Sequence, residues 1–467
     1  MAHRTKAALA GHVQAEIQQL DAQKGLPFRE LLDESRLAAA LQRVEKEFRE
    51  RIYTPMVTLC TFLSQVAGSK DPSCQNAVSR VLVDRLEQKL KPCSSDTSSY
   101  CEARARLPVA VVSDLTKETG QELHQKAPKT WLWMCRRIVI ADGSTSTMDD
   151  TPENQAEYPQ SRSQKPGLGF PILRYVVLLS WAVGTVLDCA ISSCRGKQTG
   201  EQSLFRNISQ SLQAGDIVLG DCLYDSYADI SRLKIRDIDV VFGKKQSRKF
   251  DFRRGRRLGK DDHIVIWSKP KYDAERFNSR EEWESLPDEM EMREVRLILR
   301  LKGCRTRKIM IVTTLLDAEL YSSEDLTDLF AERWHCELDL RSIKRTLNMH
   351  HLRCRTPEMV RKELWMHLLA YNLIRVRMAQ AAIRHDTIPR KLSFTAATNH
   401  IHNFAHLLKC VSGEEYDRIE AELLKAIATS KVGNRKGRKE PRAVKKRKQK
   451  YPLLKKPRAQ ARKGLAV

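Results

Sequence analysis

Apolar positions between residues 28 and 92 recur at helical intervals. Leu37, Leu41, Val44 and Phe48 are separated by four, three and four, and Val78, Val81, Val83, Leu86 and Leu90 mark a second segment. This predicts a helical N-terminal domain over residues 1–125, with the polar stretch from Pro92 to Ser99 as a loop. From about residue 131 the texture changes to short Val- and Ile-rich runs alternating with polar helical stretches. Arg137–Asp142 reads as a strand ending on an acid, and Tyr175–Ile191 as a hairpin turning near Gly184. A polar helical stretch at 199–213 precedes a second strand ending on an acid, Asp216–Asp221. A helix over 225–234 and a strand at Ile238–Phe242 follow. Strand-like runs then return at His263–Trp267, Arg293–Leu299 and Lys308–Leu316.

Two helix starts close the pattern. Ser322 and Asp325 form a capping-box-like pair, and Thr356-Pro357-Glu358 supplies an N-cap, a first-turn proline and a first-turn acid for a helix running to about 384. The order β-β-β-α-β-α-β is that of a mixed sheet flanked by helices. It is compatible with a ribonuclease-H-like core in an α+β, mixed chain. The expected organisation is a core over 126–243 and 321–384, a β-rich insertion over 244–320, C-terminal helices over 385–430 and a basic tail over 431–467.

Composition narrows the class. The 467 residues are 41% hydrophobic, enough for a sizeable core, with no run of eighteen apolar residues. Met1-Ala-His-Arg-Thr-Lys6 leads into no apolar segment, so neither a membrane span nor a secretory signal is expected. Twelve cysteines without a C-x-x-C pair argue against a zinc ribbon, and most read as small buried hydrophobes. The net charge of +24 is unevenly spread. Residues 431–467 carry sixteen Lys and Arg against one acid, Glu440, and Lys244–Lys260 carries nine cations in seventeen residues. Such runs favour a polyanionic partner, nucleic acid before membrane, with the tail ordered only on binding.

The candidate chemistry lies on one helix, Phe330–Lys344. At about 100° per residue, Phe330, Arg333, Glu337, Arg341 and Lys344 fall in a stripe roughly 80° wide, with Glu332 and Asp339 on the far side. Charged stripes are commonly solvated faces laced with i,i+4 pairs, and Arg333–Glu337 is such a pair. Upstream, Asp142 and Asp221 each close an apolar strand. Each also has an ordinary reading, as an Asp-Gly turn and a strand exit, and spacing does not exclude Asp149, Asp150, Asp216 or Asp225. Asp188, inside a predicted strand, is weaker. Convergence of Asp142, Asp221 and Glu337 would require divalent cations with hard oxygen ligands, Mg²⁺ or Mn²⁺. Two such ions about 4 Å apart serve in-line attack on phosphorus.

Ala141-Asp142-Gly143-Ser144-Thr145, Leu219-Gly220-Asp221 with downstream Tyr227, Thr313–Asp317 and the Phe330 helix together resemble the DDE transposases of prokaryotic insertion sequences. The helix carries the sharpest likeness. The signature Y-(2)-R-(3)-E-(6)-K of the insertion-sequence-four family is matched by Phe330-(2)-Arg333-(3)-Glu337-(6)-Lys344, with Phe in place of Tyr. The resemblance spans about residues 135–380 and implies that Asp142, Asp221 and Glu337 bind two metal ions. It further implies that Arg333 and Lys344 hold phosphates of the element end with Phe330 beside them. Arg341 shares the stripe without being named in the signature. Relatives hold a flipped base on an insertion-domain aromatic, for which Trp267 and Trp283 are candidates and core packing is the alternative. The implied reaction is cut-and-paste transposition through a hairpin, with terminal inverted repeats and target DNA as partners and a homodimer in the synaptic complex. The implied location is cytoplasmic and nucleoid-associated. The alternatives are a metal-dependent nuclease without strand transfer and an inert DNA-binding relative.

Overall fold

The computed structural model describes residues 32, 34–44, 48, 51–67, 71–245, 247–273, 279–299, 307–433 and 454–463. The basic tail therefore lies largely outside the described residues, as do residues 1–31. The first helices are α1 (Glu34–Gln42), α2 (Pro55–Val66), α3 (Cys74–Glu87), α4 (Ser98–Arg106) and α5 (Val109–Gln125). Three strands follow, β1 (Ile138–Met148), β2 (Ile172–Ser180) and β3 (Val186–Ser193), with the short helix α6 (Pro152–Glu157) after the first. Then come α7 (Glu201–Ile208), β4 (Ile217–Gly220), α8 (Tyr227–Ile235) and β5 (Asp239–Gly243). The next segment holds β6 (Arg256–Gly259), β7 (Asp262–Ser268), α9 (Arg280–Ser285), β8 (Glu289–Leu299) and β9 (Arg307–Thr313). Helices α10 (Ser323–Glu332), α11 (Trp334–Arg341), α12 (Pro357–Arg384), α13 (Phe394–Cys410) and α14 (Glu414–Thr429) complete the order.

The chain divides into two compact units. The first comprises residues 1–125, 341–354 and 358–432, and the second 126–340, 355–357 and 433–467. In the first unit, α2 starts on an N-cap, Thr54, whose hydroxyl accepts from the Val57 amide, and nearly every residue of the helix is buried. Helix α12 belongs to this same unit. Its Lys362 is fully buried and donates to the carbonyls of Arg104 and Ala105 at 2.8 and 3.0 Å, so a cation satisfies the orphan acceptors ending α4. Asn372 donates to the Thr116 carbonyl of α5 at 2.9 Å.

The second unit is built on one mixed sheet of order β3-β2-β1-β4-β5-β9-β8-β7-β6. Strands β1, β2 and β3 pair antiparallel, with Gly184 at φ 82 in the turn between β2 and β3, a conformation that favours glycine. Strands β1, β4 and β5 pair parallel, with α8 as the crossover between the last two. The β-rich segment does not form a sheet of its own, because β9 pairs antiparallel with β5 and carries β8, β7 and β6 outward from that edge. One face of the sheet buries Val139, Ala141, Val176, Leu178, Val218 and Val240 against Leu204 and Phe205 of α7 and Ile230 of α8.

Two features differ from the sequence expectation. Strand β1 does not end at Asp142 but runs to Met148, paired with β2 from Val139↔Ser180 to Thr147↔Ile172. Asp142 thus marks where β4 stops alongside, not where β1 stops. The Phe330–Lys344 segment is also not one regular α-helix. Helix α10 begins on the expected capping box of Ser322 and Asp325 and ends at Arg333, where Arg333 N–H bonds the Phe330 carbonyl and Cys336 N–H bonds the Arg333 carbonyl, both over three residues. After α11, residues Ser342–Thr346 form a π-helical turn. A tightened turn followed by a widened one breaks the uniform 100° step on which the stripe was drawn.

Candidate active site

Parallel register brings the two aspartates together. The parallel pairs Ile138↔Ile217, Val139↔Val218 and Ile140↔Leu219 lie just before Asp142, which continues β1, and Asp221, which follows the end of β4. The charge of Asp221 acts on the Asp142 carboxyl. Asp142 Oδ1 accepts from the Gly143 amide at 2.9 Å, and Asp221 Oδ1 from the Leu223 amide at 2.8 Å, which fixes the turn leaving β4. Gly243, ending β5, admits that turn: a Cβ there would stand 3.1 Å from Cys222 N.

Burial holds the Asp142 carboxyl above the ordinary carboxylate range, and the charge of Asp221 adds to this. The Gly143 amide, the Cys336 thiol and Arg333 act in the opposite sense. The interactions with Cys336 and Arg333 link Asp142 on β1 to the α10–α11 junction. Cys336 itself is buried, and its thiol is pushed well above its usual range by burial and by Asp142.

The signature residues take distinct positions. Glu337 is exposed on the first turn of α11, with Arg333 Nη2 3.8 Å from its Oε1. Phe330 is buried among the apolar residues of α10 with Leu326 and Leu329. It therefore does not stand on an open face with the cations. Arg341 is exposed, and Lys344 is half-buried in the π turn, where burial lowers its ammonium below the usual lysine range.

The acids that spacing left open have other partners. Asp216 pairs with Arg137 at 2.8 Å, Asp225 with Arg248 at 3.1 Å, and Asp150 accepts from Gln155 at 2.8 Å. Asp188 accepts from the Cys189 amide and the Ser211 hydroxyl, and Asp149 engages Asn154 through its carbonyl at 3.0 Å. Trp267 is buried in the core, the alternative given for it beside base stacking. Its indole N–H donates to Glu294 at 2.9 Å, and the Arg248 guanidinium covers its ring at 3.5 Å. Trp283 donates to the Pro270 carbonyl at 3.0 Å, with Lys269 Nζ 4.6 Å from its ring centre.

The profile of the family described as "Transposase DDE domain" matches residues 133–373, more than half of the chain. The chain belongs to the DDE transposases. It is also 28% identical over 370 residues, 76% of this chain and 78% of the relative, to "Transposase InsG for insertion sequence element IS4" of Escherichia coli (strain K12). The matched span takes in Asp142, Asp221 and the whole Phe330–Lys344 segment of this DDE transposase. Among its described residues no helix is long and apolar enough to cross a membrane.

The transposase signature does not include two side chains that lie beside the aspartates. Glu201 opens α7 directly after Gly200, and a Cβ on Gly143 would fall 2.5 Å from its carboxyl carbon and Oε2. Burial raises its carboxyl above the ordinary range; Arg174 offsets this, and Asp221 and Asp142 add to it. Tyr224, three residues after Asp221, is buried, with its hydroxyl unpartnered among the described residues. Its hydroxyl is raised by burial and by the charges of Asp142, Glu201 and Asp221. A tyrosine in an Asp-x-x-Tyr spacing is visible in the sequence; the approach of Glu201 to Gly143 is not.

A divalent cation suits this donor set in kind. Asp142, Asp221 and Glu201 offer carboxylate oxygens whose charges act on one another, and the buried Tyr224 hydroxyl, which those charges also reach, has no partner among the described residues. Among the described residues, however, no three His, Cys, Asp or Glu side chains are arranged closely enough to hold an ion as they stand. Glu337 is exposed and turned toward Arg333.

Proposed function

We propose that the protein cleaves DNA at the ends of an insertion sequence and joins those ends to target DNA, by metal-dependent phosphoryl transfer at one site. The observation that carries this reading is the parallel pairing of β1 with β4 just before Asp142 and Asp221, in a unit whose α10–α11 junction bears Arg333 and Glu337. The ribonuclease-H-like reading of the core draws support from the order β3-β2-β1-β4-β5 and the parallel β1-β4-β5 pairing.

Asp142, Asp221 and Glu337 would hold two Mg²⁺ or Mn²⁺ ions. Such ions, when bound, activate a water or 3′-hydroxyl and stabilise the leaving oxygen of an in-line displacement. Glu337 would exchange its 3.8 Å pairing with Arg333 for this role, releasing the guanidinium to a phosphate. Lys344 would give a second phosphate a point charge, and exposed Arg341 would reach a third, so these residues position DNA without reading bases. Phe330 would support the helix from inside. Hairpin formation, a synaptic homodimer and end recognition by the N-terminal helices follow from the family likeness, as does work at the nucleoid in the cytoplasm.

Joining of a pre-cleaved 3′-hydroxyl element end to plasmid DNA tests the reading. The DNA substrate is the inverted repeat flanking the gene. Metal-dependent joining that is lost in Asp142→Asn is expected. Metal-dependent cutting without joining would favour a nuclease, and neither activity would favour an inert DNA-binding protein.

A further inference from the structure

We propose that His263 and Glu294 share one proton beyond those of a neutral imidazole and a carboxylate, and that this proton pins a cationic strap, residues 247–255, to the outer strands. Raising the pH removes the proton, frees the strap and weakens its hold on DNA. The inference takes DNA as the partner but does not depend on metal binding or cleavage.

The strap is built onto one face of β7 and β8. Glu294 of β8 is the in-register partner of His263 of β7. Phe252 lies 4.7 Å from the His263 ring, Phe250 packs against the sheet core, and Arg248 covers the Trp267 ring while pairing with Asp225. Gly255 closes the strap at φ 75, where a Cβ would run into the Ile264 carbonyl oxygen, so this turn into β6 requires glycine. Lys249, Arg253 and Arg254 are exposed on the strap.

A count of donors and acceptors carries the inference. His263 is 1% exposed, with Nδ1 2.7 Å from the Arg254 carbonyl oxygen and Nε2 3.1 Å from Glu294 Oε2. The other carboxylate oxygen, Glu294 Oε1, accepts from the Trp267 indole at 2.9 Å. A neutral imidazole has one N–H, and here it faces two acceptors. Both contacts form only when the pair carries one proton more, as imidazolium with carboxylate or as imidazole with carboxylic acid. Without that proton the single N–H goes to the charged acceptor, Glu294. The Nδ1 lone pair is then left against the Arg254 oxygen in a buried site, where neither can turn to water, and the strap gives way.

The surrounding charges are matched among themselves. Asp261 pairs with Arg296 at 2.7 Å, Asp225 with Arg248, and Asp251 with both Arg253 and Arg254. Asp262, next to His263 in the strand, pairs with Arg293, and Arg257, in register with His263 on β6, is exposed and donates to the Gly259 carbonyl. Each of these carboxylates already faces a guanidinium, so the added proton belongs to His263 and Glu294.

The test is hydrogen exchange of the strap in the full chain, read by mass spectrometry and corrected for the intrinsic pH dependence of exchange, over the pH range in which circular dichroism shows the protein folded. Strap protection in the parent is expected to fall roughly tenfold or more on the alkaline side, the scale of one buried hydrogen bond. In Glu294→Gln the amide N–H donates to Nε2, which leaves Nδ1–H for Arg254 and the amide oxygen for Trp267. Every contact then forms without the extra proton, and protection is expected to stay high at every pH. His263→Gln has no proton to lose there and is expected to give a flat profile. Affinity for random-sequence duplex DNA should follow strap protection in the parent and lose its pH dependence in both variants. A flat parent profile, or Glu294→Gln falling in parallel with the parent, would overturn the shared proton. A responsive strap with pH-independent DNA affinity would overturn its part in holding DNA, and either result would leave the proposed function standing.

Discussion

Asp142 and Asp221 sit in different environments. Asp142 is inside a strand and meets the Cys336 thiol and Arg333; Asp221 leaves a strand end through an Asx-type turn. Either Asp→Asn change is expected to lower DNA cleavage by at least about 10³-fold with unfolding unaltered, since each removes a ligand charge and little volume. Phe330 is expected to act on stability. Being buried, its truncation in Phe330→Ala should cost about 3 kcal/mol in denaturant unfolding; no loss would place the ring at the surface, free for DNA.

His367 supplies a pH test independent of catalysis. It is buried in α12 with Nδ1 unpartnered among the described residues, and burial, helped by His350, pushes its imidazole down to about 3. The unfolded chain binds this proton near pH 6.5 and the folded chain only near 3, so stability falls as pH drops through that window, by at most about 1.4 kcal/mol per pH unit. Buried Glu363, raised by burial, acts in the opposite sense at the carboxylate end. His367→Leu is expected to flatten the loss between pH 6.5 and 5 in denaturation curves. An unchanged slope would contradict the buried neutral imidazole.

At the scale of elements, the buried pair Arg293–Asp262 ties the outer strands to the start of the signature helix. Arg293 of β8 is fully buried, meets Asp262 of β7 at 2.5 Å and donates to the Tyr321 carbonyl at 2.7 Å, while Ser323 donates to Asp262 at 3.0 Å. Arg293→Ala leaves Asp262 buried and uncompensated, and is expected to destabilise the protein by about 3–5 kcal/mol. The double change Arg293→Met with Asp262→Leu should recover part of that loss in the same unfolding assay. A parent-like Arg293→Ala would show that the tie carries no stability.

Legibility differed between elements for physical reasons. Val- and Ile-rich runs showed β1, β2, β4 and β5 because those strands are buried, and the Ser322–Asp325 capping box showed where α10 begins. The second half of β1, Gly143–Met148, reads as polar and carries no strand signal, since pairing with β2 rather than apolar side chains holds it. The break at Arg333 and the π turn contain neither Pro nor Gly, so no local signal announced them. Glu201 carries no local signal because its closeness to Gly143, 58 positions earlier in the chain, depends on packing of α7 against the sheet.

At the scale of the whole molecule, the +24 charge should make DNA affinity strongly salt-dependent. Edge strand β6 exposes Arg256 and Arg257, which also suits an edge protected from pairing with another chain. Arg256→Ala with Arg257→Ala is expected to weaken binding to all DNA sequences alike and to reduce the salt slope by about one for each phosphate that is no longer neutralised. An unchanged slope would assign the pair to edge protection alone.

Asp142 and Asp221 are proposed to form a divalent-cation site for cutting element ends. The most direct measurement of this is strand cleavage of DNA carrying the flanking inverted repeats, in Mg²⁺ and in EDTA, by the parent protein and by Asp221→Asn. Cleavage at the repeat termini in Mg²⁺, abolished by EDTA and by Asp221→Asn, is the expected result. Cleavage that persists in EDTA, or that Asp221→Asn retains at the parent rate, would contradict the account.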